Sequence, residues 1–245
     1  MKIQKKLIRL TVFVAFLLAV SMVAFVIFAV YARYKVAERL DIGYGVSTDN
    51  EIVQLEIGDK VFRIPKNHIW SREDWRGGKV EAVNLQALLP DFEPYLDSTK
   101  SEFDKPGWNK KITLVLENHN MVGSKTGSQS MTRQAVYDRV VYDFSLQRKA
   151  KVTDFPGPYG LVLQTLDSSS SNSGRELYIG HKKDGGFYWV KCDMDRPNRY
   201  PSCNTYLEYS SQVYISYTFS KKYLNEWERI DAAVLSFIKN FDRKL

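Results

Sequence analysis

The chain opens with a polar, basic decapeptide and then an uninterrupted apolar run, TVFVAFLLAVSMVAFVIFAVY, from Thr11 to Tyr31. Helical rise is about 1.5 Å per residue, so a run of that length spans the hydrocarbon of a bilayer. Beyond it the pattern changes to short alternating segments. EIVQLEI (51–57) and KVFRIP (60–65) flank Gly58-Asp59 and predict a β-hairpin. VEAVNLQALL (80–89) reads as a strand that also suits a helix, and KITLVLEN (111–118) as a half-buried strand. MTRQAVYDRVVYDF (131–144) fits either a helix capped at Thr132 or a strand from Arg139 onward.

GLVLQTL (160–166) predicts a strand, followed by the polar loop DSSSSNSG. ELYIGHKK and FYWVKCDM around Asp184-Gly185-Gly186 predict a second hairpin, and 205–209 with 212–219 a third. From Lys221 to Phe241 the apolar residues Leu224, Trp227, Ile230, Val234, Phe237, Ile238 and Phe241 recur at three- and four-residue steps. That spacing predicts an amphipathic helix, capped by Ser220 and laid on a sheet. The expected fold is α+β: an N-terminal single transmembrane helix, then a mostly antiparallel β-sheet domain with a C-terminal amphipathic helix packed on it. The expected organisation is a cytoplasmic tail (1–10), the transmembrane helix (11–31), a juxtamembrane linker (32–49) and an extracytoplasmic α+β domain (50–245).

A cleaved signal peptide is the competing account of the apolar run, with Val30-Tyr31-Ala32 as the cleavage site. Its core is longer than the roughly 7–15 residues of such signals, which favours retention as an anchor in contact with the lipid bilayer. Lys2, Lys5, Lys6 and Arg9 precede the run and Arg33, Lys35 and Arg39 follow it, leaning toward a cytoplasmic amino terminus. The only two cysteines, Cys192 and Cys203, enclose the turn formers of DMDRPNRYPS. A disulfide between them would close a hairpin loop and persists in an oxidising compartment. No Asn-x-Ser/Thr sequon occurs. Together these features predict a single-pass inner-membrane protein with its carboxy-terminal domain in a bacterial periplasm.

The formal charge of +7 does not indicate nucleic acid. Seven of the 35 Lys/Arg and one of the 28 Asp/Glu fall before residue 40, leaving 28 cations against 27 anions in the domain. Such a balance lacks the basic footprint of phosphate binding.

No stretch has the spacing of a catalytic motif. His68, His119 and His181 stand apart from one another. Lys125-Thr126-Gly127 and Ser236-Phe237-Ile238-Lys239 occur in the reverse of the order used by penicillin-recognising enzymes. No ligand spacing for a metal is present, and no cofactor is expected. Binding chemistry is better supplied: five Trp and 15 Tyr, with Trp70, Arg72, Trp75 and Arg76 in one polar loop and Arg196, Arg199 and Tyr200 between the cysteines. Aromatic and Arg-rich loops are what interaction surfaces use. The sequence therefore points to a membrane-anchored periplasmic binding protein without catalytic activity, of the immunity type that captures a periplasm-acting toxin or hydrolase. The alternatives are a cell-envelope enzyme acting on glycan or lipid, and an accessory subunit of an envelope assembly.

Overall fold

The computed structural model describes residues 20–31, 45–119, 132–143, 145–167, 175–197 and 199–242. The chain divides into two compact units, Met1–Gly45 and Val46–Leu245. In the first, residues 20–31 form helix α1, whose large apolar side chains, Val20, Met22, Phe25 and Phe28 among them, are at least half exposed. Among the described residues no helix is long and apolar enough to cross a membrane. The predicted tail (1–10), the first part of the predicted span (11–19) and most of the predicted linker (32–44) lie outside them.

The second unit begins with the expected hairpin. β1 (Ile52–Ile57) and β2 (Lys60–Pro65) pair antiparallel from Ile57↔Lys60 to Ile52↔Pro65. Gly58 holds φ +57 at the turn, and a Cβ there would meet Gln212 Cβ at 2.9 Å, so glycine is required twice over. The short β3 (Gly78–Lys79) adds to β1 in parallel. β4 (Ala82–Leu88) then starts the main sheet, and α2 (Lys100–Phe103) is a single turn before β5 (Lys111–Asn118). The ambiguous 131–144 segment resolves as helix α3 (Arg133–Val140), with the Thr132 hydroxyl accepting from Ala135 N at 3.2 Å.

β6 (Tyr142–Asp143) and β7 (Arg148–Lys149) make a small hairpin, and β8 (Val152–Pro156) and β9 (Val162–Leu166) follow. The sequence pattern does not announce β8. It is an edge strand, mostly exposed and ending in proline, and so lacks the apolar alternation that marks a half-buried strand. β10 (Arg175–His181) and β11 (Phe187–Asp193) form the second hairpin, and β12 (Ser202–Glu208) and β13 (Val213–Ser220) the third. Helix α4 (Trp227–Lys239) closes the domain. It starts later than predicted and without a Ser220 side-chain cap, because Lys221–Glu226 winds first as a 3-10 turn, whose i→i+3 bonds take up the donors a cap would satisfy.

The main sheet is eight-stranded and antiparallel throughout, in the order β4-β5-β13-β12-β11-β10-β9-β8. One face carries Ile112, Leu114, Ile215 and Phe219 against Ile230, Val234 and Ile238 of α4 and against the β1–β2 hairpin. The other face buries Trp189, Ile179 and Tyr214 beneath Val136 of α3. With both faces covered, β13 is buried at nearly every position rather than at alternate ones.

β11 and β12 pair at Lys191↔Asn204 and Cys192↔Cys203. Further along, the Thr205 hydroxyl donates to Trp189 O and Arg133 fills the space between the strands. Its Nε donates to Tyr206 O, and its Nη1 to Phe187 O at 3.4 Å. The guanidinium then meets Asp231 of α4 in a two-pronged pair. Asp231 also accepts from Lys182 and, at 2.6 Å, from the Tyr217 hydroxyl. Burial alone would raise this carboxyl, but the Arg133 charge, with hydrogen bonds from Arg133, Lys182 and Tyr217, holds it below its ordinary range. The charge–charge contact joins α3 on one face of the sheet to α4 on the other.

Candidate functional site

The two cysteines are disulfide-bonded, at directly opposed positions of β11 and β12 with Cα atoms 4.0 Å apart. Both are fully buried, so the bond fixes the base of the 194–201 loop rather than its tip. Asp193 adds to the brace, its carboxylate accepting from Ser202 N at 3.2 Å and Ser202 Oγ at 2.9 Å. Tyr200 lies on the β12 side of this loop, 58% exposed. Its ring lies against Gly107, where a Cβ would come within 2.3 Å of the ring, and Gly107 has φ +76.

This loop forms one wall of a cleft of about 480 Å³. Trp108 comes from the turn before β5, Tyr159 from the β8–β9 turn, and Tyr178 and Glu176 from β10. Lys221 enters from the 3-10 turn and spans the floor, reaching Glu176 at 2.5 Å and Asp195 at 2.9 Å. The Tyr178 hydroxyl donates to Glu176 at 3.0 Å. Burial and the adjacent Glu176 push the Tyr178 phenol well up, so it stays a donor. Partial burial works to lower the Lys221 ammonium, but its bonds to Glu176 and Asp195 outweigh that and raise it. Tyr159, 60% exposed, sits at φ +58, and its carbonyl accepts from Trp227 Nε1 at 3.4 Å.

The Trp70–Arg76 loop is placed differently. Trp70 N donates to Asn84 O at 2.8 Å and Ile69 bridges to Leu85, so the loop is fastened along β4, at the edge of the main sheet. Trp75 is half-buried on the core, its Nε1 donating to Ile69 O at 3.2 Å with the Lys66 ammonium 5.2 Å above the ring. Trp75 and Arg76 line a second, smaller cleft beside β1, of about 320 Å³, while Arg72 is exposed. The two clefts share no lining residue, so the predicted binding residues fall into two groups: Arg199 and Tyr200 in one, Trp75 and Arg76 in the other. Arg196 is exposed on the disulfide-closed loop.

The histidines take structural or peripheral positions. His68 is buried, Nδ1–H donating to Gln86 O at 3.1 Å and its ring 5.0 Å from that of Phe237. His119 lies at the end of β5, its N–H bonded to Gln212 O, and His181 is exposed at the end of β10. Among the described residues no group of three or more His, Cys, Asp or Glu could hold a metal ion.

Burial depresses the His68 pKa, the Gln86 carbonyl only partly opposing it. A neutral His in the fold and an ordinary one, near 6.5, in the unfolded chain mean that its stabilising contribution is complete above that value. It is lost as pH falls through the lowered folded pKa. Denaturation midpoints measured from pH 7.5 to 5 are expected to fall in the wild type and to fall less in His68→Asn. Equal slopes would show that His68 does not titrate with folding.

Trp108, Tyr159, Tyr178, Glu176 and Lys221 escape sequence reasoning because four separate segments supply them. The one available signal is Pro156-Gly157-Pro158-Tyr159-Gly160, an aromatic set in a rigid turn.

Compared with known proteins, the sequence matches no family model and no curated protein. Two solved structures resemble it. Smlt3025, an immunity protein of the type IV secretion system of Stenotrophomonas maltophilia, aligns with TM-score 0.56 and 16% identity over 80% of this chain and 94% of its own. FrpD, an iron-regulated outer membrane lipoprotein of Neisseria meningitidis, aligns with TM-score 0.46 and 10% identity over 81% and 96%. At 16% identity the likeness to Smlt3025 is one of fold.

Proposed function

We propose that this chain is a membrane-tethered binding protein of the bacterial envelope whose carboxy-terminal domain captures and neutralises a toxin or hydrolase acting in the periplasm. The observation that carries the reading is the convergence of Trp108, Tyr159 and Tyr200 on one cleft beside a loop closed by a buried disulfide. Exposed aromatics held on a pre-organised loop give affinity at low entropic cost. The fold it shares with an immunity protein supports the same role. Tethering is supported by the 21-residue uncharged run and by the exposed apolar side chains of α1 within it. The disulfide favours the oxidising side of the inner membrane.

The test is growth protection. Products of genes adjacent to this one are directed to the periplasm of a heterologous host, with and without the full chain. One product is expected to arrest growth, and co-expression of the chain to restore it. If no product arrests growth, or arrest persists whenever the chain is present, the neutralising role is wrong.

A further inference from the structure

We infer that the cleft bounded by Trp108, Tyr159 and Tyr200 receives a protruding, acidic segment of a partner protein. This deepens the binding role proposed above and rests on it. A cleft of about 480 Å³ is in the range that encloses a small ligand or one or two side chains, so what enters it projects from the partner's surface.

The floor sets one cation between two carboxylates, and the rim adds cations. Lys221 bridges Glu176 and Asp195 at 2.5 and 2.9 Å, and Tyr178 donates to the same Glu176 oxygen that Lys221 meets. With Arg196 included, four cations face two carboxylates around the cleft. Arg199 and Lys222 line the rim and Arg196 stands on the same loop, and neither guanidinium is ion-paired with a described residue. Two unpaired guanidiniums on a loop braced by the buried Cys192–Cys203 bond suit carboxylates, which they can engage with two hydrogen bonds each. A basic segment would meet an excess of like charge.

Tyr159 supplies the apolar side of the contact. A non-glycine residue at φ +58 costs about 1–3 kcal/mol and persists only where its surroundings impose it. Here Gly157 N–H donates to Leu161 O and Leu161 N–H to Pro158 O, each at 3.0 Å, and the turn they close holds the ring 60% exposed beside the cleft. The turn thus presents a large, uncovered aromatic at the cleft, suited to apolar contact with what enters it.

The test is site-specific crosslinking in cells that carry the neighbouring genes. Full-length chain bearing p-benzoylphenylalanine in place of Tyr159 or Tyr200 is irradiated, and the attached peptide is sequenced. Ile52, exposed beside the second cleft, is the control position. Expected are adducts at 159 and 200 but not at 52, to a peptide with more Asp and Glu than Lys and Arg. Adding Arg196→Glu with Arg199→Glu should lower the yield about tenfold or more, with the thermal midpoint unchanged because both residues are exposed. No adduct at either position, an adduct to glycan, a basic peptide, or a yield indifferent to charge reversal would each overturn the inference. The two readings separate cleanly. Growth protection that survives the charge reversal sinks this inference alone, whereas an acidic adduct on a harmless protein sinks the neutralising role alone.

Discussion

Asp231→Ala is expected to lower the unfolding free energy by about 3–5 kcal/mol, measured by denaturant titration of the full chain in detergent with Trp fluorescence as the readout. Asp231 is 1% exposed and receives Arg133, Lys182 and the Tyr217 hydroxyl. Removing it strands the Arg133 guanidinium in the sheet interior, and Arg133 has no route to water that keeps its bonds to Tyr206 and Phe187. Lys182 is partly exposed and can turn outward. Arg133→Met combined with Asp231→Ala should therefore cost clearly less than the two single changes added together. The acid side follows from the lowered carboxyl. Its stabilisation is complete above the ordinary Asp range, near pH 4, and is lost as pH falls through the folded value, so acid unfolding should be shallower in Asp231→Asn. A loss below about 1 kcal/mol in Asp231→Ala would remove the pair from any structural role.

Replacing both cysteines with alanine should cost about 3 kcal/mol, the loop-closure value for the 11-residue separation of Cys192 and Cys203. The effect is local as well as global. Only two ladder pairs join β11 to β12, so without the covalent bond that junction rests on them, on Arg133 and on the side-chain bonds of Thr205 to Trp189 and of Ser202 to Asp193. Amide exchange should accelerate first at Asp193, Ser202 and the loop that carries Tyr200, before the β5–β13 core opens. Capture of the partner should weaken with it, since Tyr200 would no longer be held against Gly107. An unchanged denaturation midpoint together with unchanged exchange in the loop would show that the bond is dispensable.

Much of the fold was legible because local chemistry and tertiary demand agree. Gly58-Asp59 and Asp184-Gly185-Gly186 bend where hairpins bend, and the stripe from Leu224 to Ile238 is buried as its spacing requires. Asp231 was passed over in the sequence, although its place is anomalous. It falls in line with Trp227, Val234 and Ile238, where an acid belongs only if something pairs with it. Its partner was not legible, since Arg133 lies 98 residues earlier and nothing in the sequence records which strands part to admit it. The cleft divides in the same way. Arg199 and Tyr200 stood out between two cysteines, while Lys221 looked like the start of a helix and Glu176 like one acid among many. Trp75 was expected on a binding surface, and the structure spends half of it on the core.

The junction of β11 with β12 has a mechanical meaning. Continuous ladders join β8 through β11 into one half-sheet and β12, β13, β5 and β4 into another, and between them run two rungs, one covalent rivet, one guanidinium wedge and the side-chain bonds of Thr205 to Trp189 and of Ser202 to Asp193. Tyr159, Glu176 and Tyr178 ride on the first half, Lys221 and Trp108 on the second, with Tyr200 on the strap that crosses over. The Lys221–Glu176 ion pair therefore clasps one half to the other beneath the aromatics that frame the mouth.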